Sequence, residues 1–545
     1  MYKKLYQDFK TRYFESGEIF SSALSGQYHI SCFVLSSVIA EDDYINSERI
    51  IKKCLIYLDK EFQHTGHLHS IDFTIENLCL AHFVSDCEHI KSLLADFLIK
   101  YTDSLETQIT AYATDYYLLR YFNIEYYKKY LNISVELNDE FNAHISKIFE
   151  MKWFLADSLN GSEHIPDLAY HCRNLQILMG IYLVNECKNI LSLIKKGLQA
   201  LIYFGTEDGR FCFYGRSANL VYGYASLYTA VKLIKNKKNI KKIENLKNYF
   251  LHNFVNLEKN EIYVTELGIG DEKRLNFDSY VYPLVYKIFT LSRILLSNNE
   301  KYNSIVSLKL DAPVDDQILY DNETGFIFFK ADFGELTLNL RGHPNAMIRP
   351  NDNRYLPLNF VSKTFKVPDH KIYYAEARST DRIIRKVVKK IKNYVFGNIA
   401  KQGFGYCPVY YNHNTRFHIT KYSVERVSER KFKLTPLQSS LGIRRQPEDF
   451  SLLRCYIEFG KEITLSFECS KSYSLAFPVF HFENEKLTIG LSSIEFKHGA
   501  KISFSRSIAD VKTNRFRFKT PNGVARRTDL SFDNHNSQLI VKYNL

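Results

Sequence analysis

The stretch SNNEKYNS, residues 297–304, decides the fold. It is a polar run of turn-forming residues, and it separates two segments whose apolar residues keep different periods. Upstream, in ILSLIKKGLQALIYF (190–204), Leu191, Ile194, Leu198, Leu201 and Ile202 recur at helical spacing on one face. Downstream, in ELTLNLRG (335–342), Leu336, Leu338 and Leu340 alternate with polar residues. Ile463, Leu465 and Phe467 do the same, as do Leu539, Val541 and Tyr543. A period of two belongs to half-buried strands. The chain therefore divides near residue 305 into an all-helical half, 1–304, and an all-β half, 305–545.

Working outward, the helical pattern returns at 27–41, 47–62, 72–100, 107–121, 140–158, 168–188, 217–235, 241–255 and 278–297. Short polar loops between such segments give helical hairpins arranged in an array or a closed ring. No sequence repeat is strict enough to name a solenoid. In the second half, many short strands and a hairpin-turn signal, TPNG at 520–523, predict a large antiparallel sandwich. TDRIIRKVVKKIKNYVF (380–396) is the exception, a basic amphipathic helix or a strand pair with a charged edge.

Composition narrows the function. With 45% hydrophobic residues over 545, the chain buries large cores and is neither disordered nor fibrous. A net charge of +12 tilts the expected partner toward an anion: a uronate polysaccharide, a nucleic acid or a membrane surface. The basic run from Arg382 to Lys392 contains no aromatic residue, with Tyr394 just beyond its end, which disfavours a base-stacking nucleic-acid site. With 39 Tyr, the chain has many phenols for stacking on sugar rings or for proton transfer. The ten cysteines are scattered singly, without paired metal-ligand spacing, and read as reduced and buried. The opening MYKKLYQDFKTRYF has no apolar signal core, and no apolar run approaches the length of a membrane span, so the expectation is a cytoplasmic chain without a spanning segment.

The segment EDGRFCFYGRSANLVYGYASLY (207–228) carries the most chemistry. Asp208-Gly209 marks a turn, and Gly223, Ala225 and Ser226 allow a following helix to pack closely. Between them Tyr214 and Arg216 sit at a loop-to-helix junction, where a side chain can point into a cavity.

This layout resembles the polysaccharide lyases built from a helical toroid followed by an antiparallel β-sandwich, including the chondroitin AC/hyaluronate, heparinase II/III and alginate lyase groups. The run DGRFCFYGRSANLVYGYA is similar to the turn that precedes their tyrosine-bearing helix. The resemblance implies an incomplete (α/α) toroid over 1–304, a sandwich over 305–545, and cleavage of an anionic polysaccharide or oligosaccharide by β-elimination, with no obligatory metal or organic cofactor. That chemistry removes the C5 proton of a uronate, neutralises its carboxylate and protonates the leaving oxygen.

The residues the resemblance selects for catalysis are Tyr214, with Tyr222 as substitute, and His171 and Asn174, which lie three apart in DLAYHCRNLQILMG and so neighbour each other on a helix. His343, in the long loop RGHPNAMIRPNDNRYLPLNF (341–360), is the candidate histidine from the sandwich. Arg216, Tyr170, Asn345, Arg349, Arg354 and Tyr422 are the candidates for binding substrate, the arginines as bidentate forks for carboxylate or sulfate. Where the chondroitin lyase pattern has a His six positions after the Asp of the turn, this chain has Tyr214.

Rival constellations are weaker. His64, His67, His69 and Asp72 match no standard metal spacing. The pairs Asp72 with Glu76 and Glu163 with Asp167 would suit a toroid glycoside hydrolase, although acidic residues at helix spacing usually mark a solvated face. A non-catalytic glycan-binding or polysaccharide-assembly protein is the remaining alternative. No phosphate-binding glycine loop or nucleophile elbow occurs.

Overall fold

The structure is a computed structural model. It describes residues 3–544 apart from 18–25, 65–70, 264–277, 342–360, 363–408 and 442–452 and from shorter stretches of up to five residues. The chain forms two compact units: 1–212, 219–267 and 271–312 make the first, and 213–218, 268–270 and 313–545 make the second.

The first unit has eleven α-helices among the described residues, and their burial sorts them into two layers. Gly26–Ala40, Ile71–Val84, Thr114–Tyr126, Leu168–Val184, Val221–Lys232 and Asp278–Ser297 form an inner ring, each packing on the next and the last on the first. Inner helices have no solvated side: along Leu168–Val184 every residue except Tyr170 is buried. Tyr44–His64, Glu88–Lys100, Asp139–Glu150, Lys188–Phe204 and Ile240–Phe254 are the outer layer, each with one apolar stripe turned to its inner partner. In Asp139–Glu150 only Phe141, Ile145 and Ile148 are buried, at the spacing of a single face.

Local chemistry sets the helix ends. Asn138 caps Asp139–Glu150 by accepting the Phe141 N–H at 2.8 Å, and Asp167 caps Leu168–Val184 by accepting from Ala169 and Tyr170 at 3.0 and 3.2 Å. The periodic stretch 72–100 is two helices, because Ser85 and Cys87 interrupt it: the Ser85 hydroxyl accepts the Cys87 N–H at 3.3 Å and starts the second helix. Two short antiparallel ladders, Ser158–Asn160 with Glu163–Ile165 and Val255–Asn256 with Glu261–Ile262, are β elements inside the helical unit. No helix among the described residues is long and apolar enough to cross a membrane.

The second unit is an antiparallel sandwich. A four-stranded sheet spans Ile318–Tyr320 to Val361–Ser362, and a twelve-stranded sheet is built from residues 409–544. They share one core, with Ile327, Phe329 and Leu340 from the smaller sheet against Phe432, Phe459, Leu465, Phe477, Leu530 and Val541 from the larger. The alternation read from sequence is the alternation of burial: Ile463, Leu465 and Phe467 are buried while Thr464 and Ser466 are partly exposed. The TPNG hairpin joins Ile508–Thr520 to Gly523–Phe532, with Thr520 opposite Gly523.

Candidate functional site

Inner and outer helices alternate along the chain, so all six inner helices run in the same direction and their first turns gather at one end of the ring. Aligned at their starts they read GQY, IDF, TDY, LAY, VY and DSY. Tyr28, Phe73, Tyr116, Tyr170 and Tyr280 stand third and Tyr222 second, so every inner helix opens with an aromatic residue. Five of the rings meet a neighbour across the gap between helices, in three contacts. Tyr28 packs edge-on to Phe73 at 5.6 Å, Phe73 on Tyr116 at 5.2 Å, and Tyr170 on Tyr222 at 5.8 Å. Phe73, Tyr116 and Tyr170 keep part of their surface in solvent, whereas Tyr28 and Tyr222 are buried behind them. The result is an aromatic collar.

A layer of buried charge underlies it. Lys287 pairs with the Glu76 carboxylate, and Arg173 Nη2 lies 3.6 Å from the same oxygen. Arg173 Nη1 donates to Gln176 Oε1 at 2.6 Å. Lys287 Nζ lies 6.0 Å from the centre of the collar ring Phe73, and burial pulls its ammonium down to about 7. Beside this group Asp72 takes a bidentate fork from Arg120 at 2.5 and 3.0 Å, while Arg120 Nη1 donates to the carbonyls of Leu105 and Thr107 at 2.7 and 2.8 Å. Two cations face one carboxylate in the Glu76 group, which gives the collar a positive floor when Lys287 is protonated.

The helix pair that carries Tyr170 and Tyr222 is held together by a missing side chain. A Cβ on Gly223 would lie 2.6 Å from Ala169 Cβ and 2.9 Å from Ala169 Cα, so only glycine lets these helices approach as they do.

The sequence candidates fall as follows. Tyr170 and Tyr222 are brought together. His171, one residue beyond Tyr170, is a structural histidine: its Nδ1 accepts the Leu155 N–H at 3.0 Å and its Nε2 lies 3.2 Å from the Gly197 carbonyl. Both nitrogens are thus committed to backbone, the ring is fully buried, and burial lowers its pKa from 6.5 to about 4. Asn174 is likewise buried and donates to the Ala156 carbonyl at 3.0 Å. Tyr214 groups with the second unit, where it is 2% exposed and packs edge-on against Phe326 at 5.0 Å. Tyr422 is 1% exposed in the core of the sandwich, where strand alternation turns it inward. Arg216, His343, Asn345, Arg349 and Arg354 lie outside the described residues, as do the basic segment 380–396 and residues 65–70 between His64 and Asp72.

Of the acidic residues weighed for a hydrolase, Asp72 and Glu76 are buried in ion pairs, and Asp167 is a buried helix cap. Among the described residues no cluster of His, Cys, Asp and Glu is arranged to hold a metal ion. The sequence reading missed Tyr28, Phe73, Tyr116 and the Glu76, Arg173 and Lys287 layer. Its available signal was the aromatic residue recurring at each helix start.

By sequence, neither a protein family nor a characterised protein matches the chain. By structure, it is similar to a Paenibacillus xanthan lyase, with a TM-score of 0.51 and 9% identity over 95% of this chain and 53% of that one. It is also similar to chondroitin AC lyase from Streptomyces coelicolor A3, with a TM-score of 0.50 and 8% identity over 100% of this chain and 79% of that one. The chain thus spans about half the length of the xanthan lyase. At these identities the likeness is one of fold: the chain has the helical-toroid and β-sandwich fold of polysaccharide lyases.

Proposed function

We propose that this chain is a polysaccharide lyase that cleaves a uronate-containing bacterial surface polysaccharide, or an oligosaccharide derived from one, by β-elimination at the aromatic collar. The observation that carries the reading is the collar over the buried Glu76, Arg173 and Lys287 layer, which is positive when Lys287 is protonated. Aromatic faces pack against the apolar C–H faces of sugar rings, and phenols add hydrogen bonds at their edges. The positive floor favours a sugar that bears a carboxylate, and electrostatic stabilisation of that carboxylate is what makes abstraction of the neighbouring proton feasible. The fold it shares with xanthan and chondroitin AC lyases supports the same class of reaction.

Among the described residues of the collar, Tyr170 is the phenol with both solvent access and a buried ring partner, Tyr222. We assign it the proton transfer, with Tyr222 fixing its ring by edge-on packing. The test is incubation with a panel of uronate polymers while following the ultraviolet absorbance of the unsaturated sugar that β-elimination leaves. Appearance of that chromophore is the expected result. New reducing ends without the chromophore would mean hydrolysis, and silence across the panel would overturn the reading.

A further inference from the structure

Two thiols meet beside the helices that carry Tyr170 and Tyr222. Cys172 Sγ and Cys212 Sγ are 3.7 Å apart, and both residues are fully buried. Cys172 belongs to the inner helix Leu168–Val184, two residues beyond Tyr170. Cys212 belongs to residues 210–212, which are buried but are neither helix nor strand. Its thiol also faces the Leu168 carbonyl, at 3.9 Å. A Cβ on Gly223, one residue beyond Tyr222, would lie 3.0 Å from Cys212 Sγ, so the same sulfur is packed against the helix Val221–Lys232.

As thiols the two side chains give each other a weak hydrogen bond and little more. As a disulfide their sulfurs would stand about 2.05 Å apart, so the distance to close is short. The irregular segment 210–212 holds one of the two sulfurs, and a shift there breaks no helix turn and no strand ladder. The bond would close a loop that contains the rest of the inner helix and the whole outer helix Lys188–Phe204. It would also pin the first unit at Cys212, the residue before the chain passes at 213 into the second. A cross-link over a loop of this length stabilises chiefly by restricting the unfolded chain.

We propose that Cys172 and Cys212 are an oxidation site, a dithiol that a peroxide converts to a disulfide clamping segment 210–212 onto the inner helix. Burial, with the Cys172 thiol beside it, pushes the Cys212 thiol well up, so in the closed molecule it stays protonated and unreactive. Local opening of 210–212 brings Cys212 to water, where it ionises. Its thiolate attacks one peroxide oxygen and breaks the O–O bond; the sulfur becomes a sulfenic acid, and the hydroxide released takes up the thiol proton as water. On reclosing, Cys172 attacks the sulfenic sulfur, forming the S–S bond and releasing the sulfenic oxygen as a second water. In sum two thiols lose two electrons and two protons, and one peroxide becomes two waters. The site rests on the contact of the two sulfurs and not on the proposed lyase reaction.

The test treats the folded full chain with hydrogen peroxide, alkylates the remaining thiols in denaturant, and maps a non-reduced digest by mass spectrometry. The peptides of Cys172 and Cys212 are expected joined, lighter by the two thiol hydrogens and separated again by dithiothreitol. The oxidised chain should melt about 4 °C or more above the reduced chain. Cys172→Ala and Cys212→Ala should each lose both the joined peptide and the rise in Tm on oxidation. The map of the parent chain decides the cross-link even if neither variant folds, and no step of the test needs a substrate, so a failure of the collar reading does not touch it. Absence of the joined peptide, joining of either cysteine to a different one, or a cross-linked chain with an unchanged Tm would overturn the proposal.

Discussion

His171 shows how burial and two backbone partners define a residue. Folded, the ring takes a proton only near pH 4, whereas unfolded it does so near 6.5. Between those values the unfolded chain binds more protons, so the folded state loses stability as pH falls through that window and is fully stable above it. His29, also buried and lowered to about 4, adds to the same effect. Replacing His171 by Gln should flatten the fall of stability below pH 6.5, by up to about 1.4 kcal/mol per pH unit, in a series of thermal melts. An unchanged slope would show that His171 does not contribute. At the same scale, Arg120→Ala leaves the Asp72 carboxylate buried without its fork and should cost about 3–5 kcal/mol in denaturant unfolding. Sequence placed His171 and Asn174 next to each other and made them a catalytic pair. It did not show that their partners are backbone groups of Leu155, Gly197 and Ala156, because those come from other turns of the chain and are fixed only by packing.

At the scale of elements, the layering of helices was partly legible. Outer helices announce themselves by a single stripe, while an inner helix such as ISCFVLSSVIA (30–40) has no charged side. The repeated aromatic start was present in the sequence but hidden, since the segments it opens differ in length and the repeat is three residues long. It emerges once the helix starts are aligned. The close pair of Leu168–Val184 with Val221–Lys232 is the element-level prediction. Gly223→Ala places a methyl against Ala169 and should cost about 1–3 kcal/mol as the helices part. It should also lower activity further than the stability loss explains, because it separates Tyr170 from Tyr222. Equal kcat values for the parent and the folded variant would detach the collar geometry from catalysis.

At the scale of the whole chain, the polar break at 297–304 was enough to foresee a helical unit and a β unit, because a change of apolar period is a change of structure class. What it did not convey is that 213–218, the segment of Tyr214, groups with the sandwich although it lies amid helical sequence. Local pattern assigns a residue to its neighbours in the chain; contact assigns it to its neighbours in space. Asp72 and Glu76 illustrate the same limit, since a carboxylate at helix spacing reads as solvated until the Arg and Lys that pair with it are known. In the proposed reaction the collar holds the sugar and Tyr170 transfers the proton. The most direct measurement is the steady-state kinetics of Tyr170→Phe, which keeps the ring and removes only the hydroxyl, on whichever uronate polymer the parent cleaves. A fall in kcat of about 10²–10⁴ is expected, with KM within about threefold of the parent. A Tyr170→Phe variant that turns over at the parental rate would contradict it.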